Sequence, residues 1–350
     1  MEKRTIFKYI SVTICVLIVI AVIVVVVVYT RKVYPERSKL LIDNDAGGDD
    51  AMAIFLALLY EKYFDGPQLI ALTTGNGNTN EDNVSRNNQR ILKVAQRQDV
   101  PIYRGSKSSI VFTPESTNYF GKDGLGDVDE VITDLVPPQQ QNAVDALISL
   151  SKKYEGELTV VTIGALTNVA LAIKVDPGFL NRLAHLYIGA GHINGDNHPE
   201  PEFNAHVDVE AYHIVMQSAT PDKVSVFPFS QTYAFLNFTK EWRLDVLGAI
   251  DTDIMRAQNQ YERIAIPQED GWAALDPSVV AAVINPNLVE EYKYSKYDII
   301  LCGDKRGINT NEFVEQDKAN VRIVYKVNSE EYKQFLLDVF SAELKTKSGS

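Results

Sequence analysis

The sequence is poor in cysteine and has fewer basic than acidic residues. Only two of its 350 residues are cysteines, Cys15 and Cys302, so a disulfide-stabilised miniprotein is excluded and the chain beyond Cys15 has no internal disulfide. This scarcity favours a reducing compartment without excluding export. The 34 Lys and Arg stand against 46 Asp and Glu, which gives a formal net charge of −12. A chain this acidic lacks the phosphate-neutralising surface by which proteins bind nucleic acid.

Charged side chains are also absent from one long segment near the amino terminus. Residues 9–29 form an apolar run of 21 residues, and a helix of that length spans roughly 30 Å, the thickness of the hydrocarbon core of a bilayer. The run exceeds the roughly 7–15 apolar residues of a signal peptide, and no small-residue cleavage site follows it. We therefore predict a retained signal-anchor helix, with a cleaved signal peptide as the alternative. Basic residues flank both sides, so its orientation stays open.

Beyond this run the chain has no low-complexity tract and no linker rich in Pro, Gly and Ser, which predicts one domain. Apolar β-rich runs, the predicted strands, lie at 40–44, 69–74, 102–104, 158–163, 185–189 and 224–228. Segments of helical period alternate with them, at 50–63, 83–98, 143–154 and 166–174. Such alternation is typical of a doubly wound α/β fold with a mostly parallel sheet. The predicted layout is a tail at 1–8, a transmembrane helix at 9–29, a linker at 30–39 and a single soluble domain at 40–345.

Four aspartates follow the first predicted strand closely: Asp43, Asp45, Asp49 and Asp50. Asp49 and Asp50 open the predicted helix, where Asp commonly caps free N–H groups, but capping does not account for the other two. Four converging carboxylates repel one another unless a cation neutralises them, and an all-oxygen set suits Ca²⁺ or Mg²⁺. The sequence therefore predicts a metal site where the strand ends, with caps and surface acids as the alternative.

Six segments of the sequence, taken in order, resemble one family. They are DNDAGGDDAMA at 43–53, TTGN at 73–76, YFGKDGLGD at 119–127, GALTNVALA at 164–172, PEFNAHVDVEA at 201–211 and LDPSVVAAV at 275–283. The first is similar to the DxDxGxDDxxA signature of nucleoside hydrolases, the inosine/uridine-preferring nucleosidase group, with Ala46 where the family usually has Pro. The resemblance implies a Rossmann-like nucleoside hydrolase fold. It also implies hydrolysis of the N-glycosidic bond of ribonucleosides to ribose and free base.

The same resemblance implies a Ca²⁺ ion and the residues that bind it. Its ligands would be Asp45, Asp50, the backbone carbonyl of Thr167, and Asp276, together with a water molecule and two ribose hydroxyls. Asp45 would act as the general base on that water. Such an ion lowers the pKa of its water, and dense carboxylates stabilise an oxocarbenium-like transition state.

Further positions are implied to bind the sugar. Asp49 would hold a ribose hydroxyl, and Asn76, Glu202 and Asn204 would position the ring. Asn197 corresponds to another ribose-binding Asn, although the spacing from Asn197 to Glu202 is one residue short. Each of these residues alone is equally typical of a turn or a helix cap.

The sequence departs from the family at two positions that concern the leaving base. The His that precedes the late Asp is replaced by Leu275, and the His that many members carry before GKxGL is replaced by Phe120. An aromatic at position 120 resembles the purine-specific branch, in which the base stacks between aromatic rings. Trp272 is a second stacking candidate, with ordinary core packing as its alternative. The aromatic residue at position 120 leads us to expect a purine preference. His192 and His198 lie in a loop expected to approach the site.

The sequence is also compatible with two other functions. The loss of both His positions is compatible with a catalytically weak Ca²⁺- and ribose-binding membrane protein. The DND segment also resembles the DxD motif of haloacid-dehalogenase-like phosphohydrolases, which would use Mg²⁺. For the nucleosidase, the expected partners are a ribonucleoside, the membrane through residues 9–29 and, since family members are often dimers or tetramers, a second copy of the chain. The catalytic domain is expected at the extracellular or luminal side.

Overall fold

A computed structural model describes residues 19–20, 37–128, 133–193 and 199–348 of the chain. Contacts divide the chain into two units, Met1–Arg37 and Ser38–Ser350. The predicted transmembrane segment at 9–29 lies outside the described residues except for 19–20, and it stays a prediction. In the part of the chain that the structure describes, no helix combines the length and the apolar composition that crossing a bilayer requires.

The unit Ser38–Ser350 is built on one mixed sheet, whose described strands follow the order β3-β2-β1-β4-β5-β6-β9-β7-β8. The strands are β1 (Lys39–Asn44), β2 (Gln68–Thr74), β3 (Ile102–Tyr103), β4 (Leu158–Thr162), β5 (His185–Gly189), β6 (Val224–Phe227), β7 (Val289–Ile299), β8 (Asn309–Phe313) and β9 (Val321–Val327). Pairing is parallel from β3 across to β9, and β7 pairs antiparallel with both β9 and β8. The prediction of a mostly parallel sheet is confirmed.

Helices cover both faces of this sheet. The longer ones are α1 (Gly48–Tyr63), α2 (Glu81–Val94), α3 (Ala143–Lys153), α4 (Thr167–Val175), α7 (Val209–Ser218), α9 (Asp253–Tyr261), α10 (Leu275–Ile284) and α11 (Ser329–Phe340). The shorter ones are α5 (Phe179–Arg182), α6 (Phe203–Val207), α8 (Phe229–Phe235) and α12 (Ala342–Ser348). Leu40 and Ile42 of β1 pack with α1 and α10, whereas Leu41 between them packs with α4 and α7. This alternation makes the fold doubly wound.

The six strands predicted from apolar runs are present, with ends that differ by at most two residues. The hairpin β7–β8 and strand β9 were not predicted. Strand β7 reads VEEYKYSKYDI and is half-buried or exposed along its first half, so it lacks the continuous apolar run that marks a buried strand. Because β1, β2, β4 and β5 are parallel, their carboxyl ends meet at one edge, where ligands of open α/β sheets bind.

Candidate active site

The turn from β1 into α1 carries three of the predicted aspartates. Asp50 caps this turn, since its Oδ2 accepts the N–H of Gly47 at 2.7 Å and its Oδ1 accepts the N–H of Asp45 at 3.2 Å. Ala46 between them has a positive φ of 38°. A side chain at Gly77 would collide with the Asp45 carboxylate, with a Cβ only 1.8 Å from its Oδ2. The turn is therefore tight and closely covered by the loop after β2.

Asp276 comes from a distant part of the chain to join this turn. It lies in the first turn of α10, which packs against α1, and it is 2% exposed. Oxygen atoms of Asp49, Asp50 and Asp276 lie within 4.8 Å of one another. Oδ1 of Asp49 is buried and accepts no hydrogen bond within the described residues. This is the spacing and the donor chemistry of a hard divalent cation site.

The pKa values of these carboxyl groups support the same conclusion. Burial, followed by the negative charges of their neighbours, raises the pKa of Asp50 and Asp276 well above the usual range. Burial also raises the pKa of Asp45 and Asp49 to about 7. The chain places no Lys or Arg in ion-pair contact with them among its described residues. The residues present thus fit a cation that would compensate their charge.

Asp43 does not join the other three, so the expectation that all four carboxylates converge is wrong. Its Oδ1 accepts hydrogen bonds from Thr73 Oγ1 at 2.6 Å and from Asn168 Nδ2 at 2.8 Å. Burial raises its pKa to about 6, and these neutral donors oppose the shift. Asp43 therefore ties β1 to β2 and α4 as a structural group.

Asn78 is a site residue that sequence reasoning missed. Its backbone N–H donates to Asp45 Oδ2 at 2.7 Å, and its Nδ2 lies 3.1 Å from Asp45 Oδ1 and 3.2 Å from Asp50 Oδ2. The predicted Asn76 is two residues earlier in the same loop, donates its N–H to Ser106 O, and does not line the cavity described below. The TTGNGNTN segment predicts a turn. Only the structure shows which of its asparagines contacts Asp45 and Asp50.

Glu202 and Asn204 lie together at the cavity, and their predicted role in binding the sugar stays a prediction. Glu202 caps α6, and its carboxylate accepts N–H groups of Gly191 at 2.6 Å, Ala205 at 3.0 Å and Asn204 at 3.1 Å. Asn204 Nδ2 donates to the carbonyl oxygens of Ile163 and Gly189 at 3.1 and 3.0 Å. These bonds fix both side chains against the ends of β4 and β5. Asn197 and His198 lie outside the described residues.

Thr167 begins α4 at the end of β4. It is 6% exposed, and its Oγ1 donates to Asp208 Oδ2 at 2.6 Å. The preceding turn approaches Asp45, because a Cβ at Gly164 would lie 3.1 Å from Asp45 Cγ. The predicted role of Thr167, binding calcium through its backbone carbonyl, stays a prediction.

Aromatic side chains form another wall. Phe120 lies over the Gly47–Gly48 turn, where a Cβ on Gly47 would come within 2.6 Å of its ring. Tyr119 meets Phe120 edge to face at 4.8 Å. Trp272 also reaches the cavity but is only 5% exposed, stacked on Phe238 at 6.3 Å. Leu275 lines the same space. Phe120 is 7% exposed, so both predicted stacking residues are largely buried and each offers only a small part of its surface to the cavity.

A buried ion pair supports this wall and was not foreseen. Arg243 is 0% exposed, and its Nε donates to Glu262 Oε2 at 3.0 Å, while Glu262 Oε1 accepts the indole N–H of Trp272 at 2.8 Å. Arg243 also donates to Asn259 Oδ1 at 2.9 Å. Isolated charged residues such as those in the segment 243–262 do not indicate a buried ion pair in the sequence, because charged side chains are more often exposed to solvent.

These walls enclose a cavity of about 530 Å³, within the range that small-molecule sites occupy. Its polar lining includes Asp49, Asp276, Glu202 and Asn204, and its aromatic rings come from Tyr119, Phe120, Phe229, Tyr233 and Trp272. His192, Glu262, Glu269 and Asp270 also line it. The predicted site residues Asp45, Asp50 and Thr167 are not among the lining residues. Among the described lining residues none is Lys or Arg. The cavity thus offers hydroxyl-binding and cation-binding oxygens together with flat apolar surfaces, and no group that neutralises a phosphate.

Comparison with known proteins agrees with this arrangement. The sequence profile of the inosine-uridine preferring nucleoside hydrolase family matches residues 40–334. A probable uridine nucleosidase 2 of Arabidopsis thaliana is 36% identical over 191 residues, which cover 51% of this chain and 56% of that protein. The chain therefore spans little more than half the length of this curated relative.

Solved structures are similar over more of the chain. A plant nucleoside hydrolase superimposes with a TM-score of 0.77 at 26% identity and covers 88% of this chain and 100% of that one. A purine-preferring ribonucleoside hydrolase from Gardnerella vaginalis gives a TM-score of 0.75 at 25% identity, covering 87% and 99%. The similar proteins thus include both uridine and purine enzymes.

Proposed function

Because the chain belongs to the inosine-uridine preferring nucleoside hydrolase family, we propose that it cleaves the N-glycosidic bond of ribonucleosides, with a preference for purines, to give ribose and free base. Family membership and the structural neighbours indicate a ribonucleoside hydrolase. The observation that carries the proposal is the convergence of Asp49, Asp50 and Asp276 at one cavity that also presents Phe120.

Calcium is the proposed cofactor. Asp45, Asp50, Asp276 and the carbonyl of Thr167 would hold it, and it would supply Lewis-acid activation of the attacking water. The fit rests on the buried carboxylates of Asp50 and Asp276, which offer oxygen atoms within 4.8 Å of each other and have no Lys or Arg partner among the described residues. Oxygen donors at this spacing favour a hard cation over zinc or copper.

Asp45 is the proposed general base. Two donors from Asn78 fix its carboxylate in one orientation, so that the oxygen that accepts the proton is held in place. As the C1′–N bond breaks, positive charge develops on the sugar, and the surrounding carboxylates stabilise it. Asp45 takes the proton of the water that adds to C1′.

The sugar would be positioned by Asp49, Glu202 and Asn204. The Asn204 nitrogen is engaged with two backbone carbonyls, which leaves its amide oxygen to accept a ribose hydroxyl. Rigidly held acceptors of this kind discriminate against substrates that lack the hydroxyl, so ribonucleosides should be favoured over deoxyribonucleosides. Asn76 and Asn197 remain proposed sugar ligands on the resemblance alone.

Purine preference is supported by the aromatic wall. Phe120 offers a flat apolar surface above the Gly47–Gly48 turn, and the edge of Trp272 lines the same cavity. A two-ring base covers more of this surface than a one-ring base. The Gardnerella structure is named a purine-preferring hydrolase, whereas the Arabidopsis relative is named a probable uridine nucleosidase.

A reducing-sugar assay on residues 38–350 with inosine, adenosine, guanosine and uridine, in calcium and in chelator, tests the proposal. We expect ribose release that requires calcium, with a larger kcat/KM for the purine nucleosides. Uridine cleaved as fast as inosine would refute the purine preference but leave nucleoside hydrolysis intact. Failure with all four substrates would favour the alternative of a calcium- and ribose-binding protein. A phosphohydrolase is disfavoured because no Lys or Arg lines the described cavity.

We further propose that residues 9–29 anchor the enzyme in a membrane as a single pass, with the catalytic domain on the extracellular or luminal side. The support is the uncharged run in the sequence. Protease treatment of intact cells should remove the domain; complete protection would contradict surface exposure. Association into a homo-oligomer is a further proposal, which light scattering would test.

A further inference from the structure

The segment Gly191–His192–Ile193 follows β5 and borders the cavity with an unusual number of side-chain contacts to its backbone. The N–H of Gly191 donates to Glu202 Oε2 at 2.6 Å. The N–H of His192 donates to Asn309 Oδ1 at 2.9 Å, and its carbonyl accepts the hydroxyl of Tyr297 at 2.6 Å. The N–H of Ile193 donates to Ser230 Oγ at 2.9 Å. Side chains from four different elements or turns thus hold three consecutive residues.

The side chains that hold this segment are themselves buried, at 6% exposure for Glu202, 1% for Tyr297, 2% for Asn309 and 5% for Ser230. Gly191 has a φ of +88°, and a Cβ there would come within 2.7 Å of the Tyr297 hydroxyl and 2.8 Å of Asn309 Oδ1. The backbone at His192 therefore has one well-defined position, as expected where a side chain must be presented accurately.

His192 faces the cavity from between its two chemical halves. On one side, the N–H of Gly191 donates to Glu202, which is itself a proposed sugar ligand. On the other side, the imidazole lies 6.0 Å from the ring of Phe229, which contacts Tyr233 at 6.2 Å. Among the described lining residues it is the one histidine. His192 thus stands between a proposed sugar ligand and aromatic rings of the cavity wall.

We propose that His192 is the general acid that protonates the leaving base; this rests on the proposed nucleoside hydrolysis. As the C1′–N bond breaks, its electron pair moves to the base nitrogen, and the imidazolium N–H of His192 gives its proton to a ring nitrogen of the base. Water adds to C1′ and loses a proton to Asp45, and solvent restores both side chains. The products are ribose and neutral base. Protonation matters because an unprotonated purine anion is a poor leaving group.

Several other residues of the cavity wall are less suited to this role. Leu275 and Phe120 carry no exchangeable proton. The carboxylate of Glu262 is occupied by Arg243 and the Trp272 indole. Burial and the nearby charge of Glu269 raise the pKa of Tyr119 far above its usual value, so it holds its proton tightly. Glu269 and Asp270 are exposed to solvent, whereas His192 is half-buried.

Leaving-group dependence tests the proposal. His192→Gln keeps an N–H donor of similar size but cannot transfer a proton. We expect kcat for inosine to fall about a hundredfold, with KM changed little, because general acids contribute on the order of 10²–10⁴ in rate. With p-nitrophenyl β-D-ribofuranoside, whose phenolate leaves without a proton, kcat should stay within about threefold of the wild-type value. His213→Gln is the control, since His213 on α7 contacts Asp298 of β7 and does not line the cavity.

Two results would overturn the proposal. Equal losses with inosine and p-nitrophenyl riboside would mean that His192 positions the sugar or supports the fold, and unchanged turnover of inosine would mean that it has no role. The melting temperature of each variant separates a loss of folding from a loss of chemistry. A wild-type chain that releases ribose from neither substrate would reject the proposed function itself, and His192 would have no base to protonate.

Discussion

Two sets of carboxylates lie at the cavity, and the negative charge of each set is compensated in a different way. Glu262 is paired with the buried guanidinium of Arg243 and also accepts the Trp272 indole N–H. Asp49, Asp50 and Asp276 converge within 4.8 Å with no basic partner among the described residues. The first set is complete within the chain, whereas the second is complete only with a cation from outside. A buried carboxylate is thus a structural group or a ligand according to what neutralises it.

The largest effect is expected beside the uncompensated cluster. Asp45→Asn removes the proposed base but keeps the size of the side chain, and we expect turnover to fall by at least about a thousandfold. Binding of a ribose analogue should stay within about tenfold, because the change leaves the sugar ligands in place. Steady-state kinetics and calorimetric titration measure the two. Retained activity would exclude Asp45 as the base.

Breaking the ion pair between Arg243 and Glu262 should lower the stability of the protein. Glu262→Gln leaves the Arg243 charge buried without its partner, and we expect the free energy of unfolding to fall by about 3–5 kcal/mol in urea denaturation. Adding Arg243→Met to this variant removes the orphaned charge and should recover part of the loss. If the double variant is no more stable than Glu262→Gln, the ion pair is not the source of the effect.

Calcium should stabilise the protein through the aspartate cluster and not through the ion pair of Arg243 and Glu262. An ion that binds only the folded state stabilises it by about 2.7 kcal/mol at one hundred times its dissociation constant. We expect calcium to raise the melting temperature of the wild-type chain and of Arg243→Met/Glu262→Gln, but not that of Asp276→Asn. Differential scanning calorimetry in calcium and in chelator measures this shift. A full shift in Asp276→Asn would remove Asp276 from the ligand set.

Removing calcium should also change the pH dependence of stability. Burial raises the pKa of Asp49 in the folded chain to about 7, from 3.8. Between these values the folded state holds a proton that the unfolded state has released, so stability falls as pH rises through this window. In chelator, the wild-type chain should therefore lose more stability from pH 5 to pH 7.5 than Asp49→Asn does. An equal loss in the two proteins would contradict the shift.

The smallest effect concerns the aromatic wall. Phe120→Leu removes the ring but keeps an apolar side chain over the Gly47–Gly48 turn. Aromatic stacking contributes roughly 1 kcal/mol, so we expect kcat/KM for inosine to fall about fivefold. The value for uridine should change less, because a one-ring base overlaps less of Phe120. A larger loss with uridine would contradict stacking of a purine at this position.

Residues in one contiguous motif could be predicted because the strand–turn–helix geometry is local. The sequence segment 43–53 predicts both a strand end and a metal site; β1 ends there at Asn44, and Asp49 and Asp50 lie within 4.8 Å of Asp276. Asp43 does not join them because it is still within β1, where Thr73 of the paired strand and Asn168 bind its carboxylate. Asn78 and Glu262 were missed because an Asn in a turn and a Glu in a helix end are common in any chain.

By itself, the sequence determined the parallel α/β core, the acidic turn after β1 and the family, since these depend on local periodicity and on ordered motifs. Only the tertiary structure decided which carboxylates remain uncompensated, because the partners that would neutralise them come from distant segments. Glu262 finds Arg243 on a neighbouring turn, while Asp276 is brought to Asp49 and Asp50 by the packing of α10 on α1. Charge compensation is a property of spatial neighbours, which spacing along a chain does not reveal.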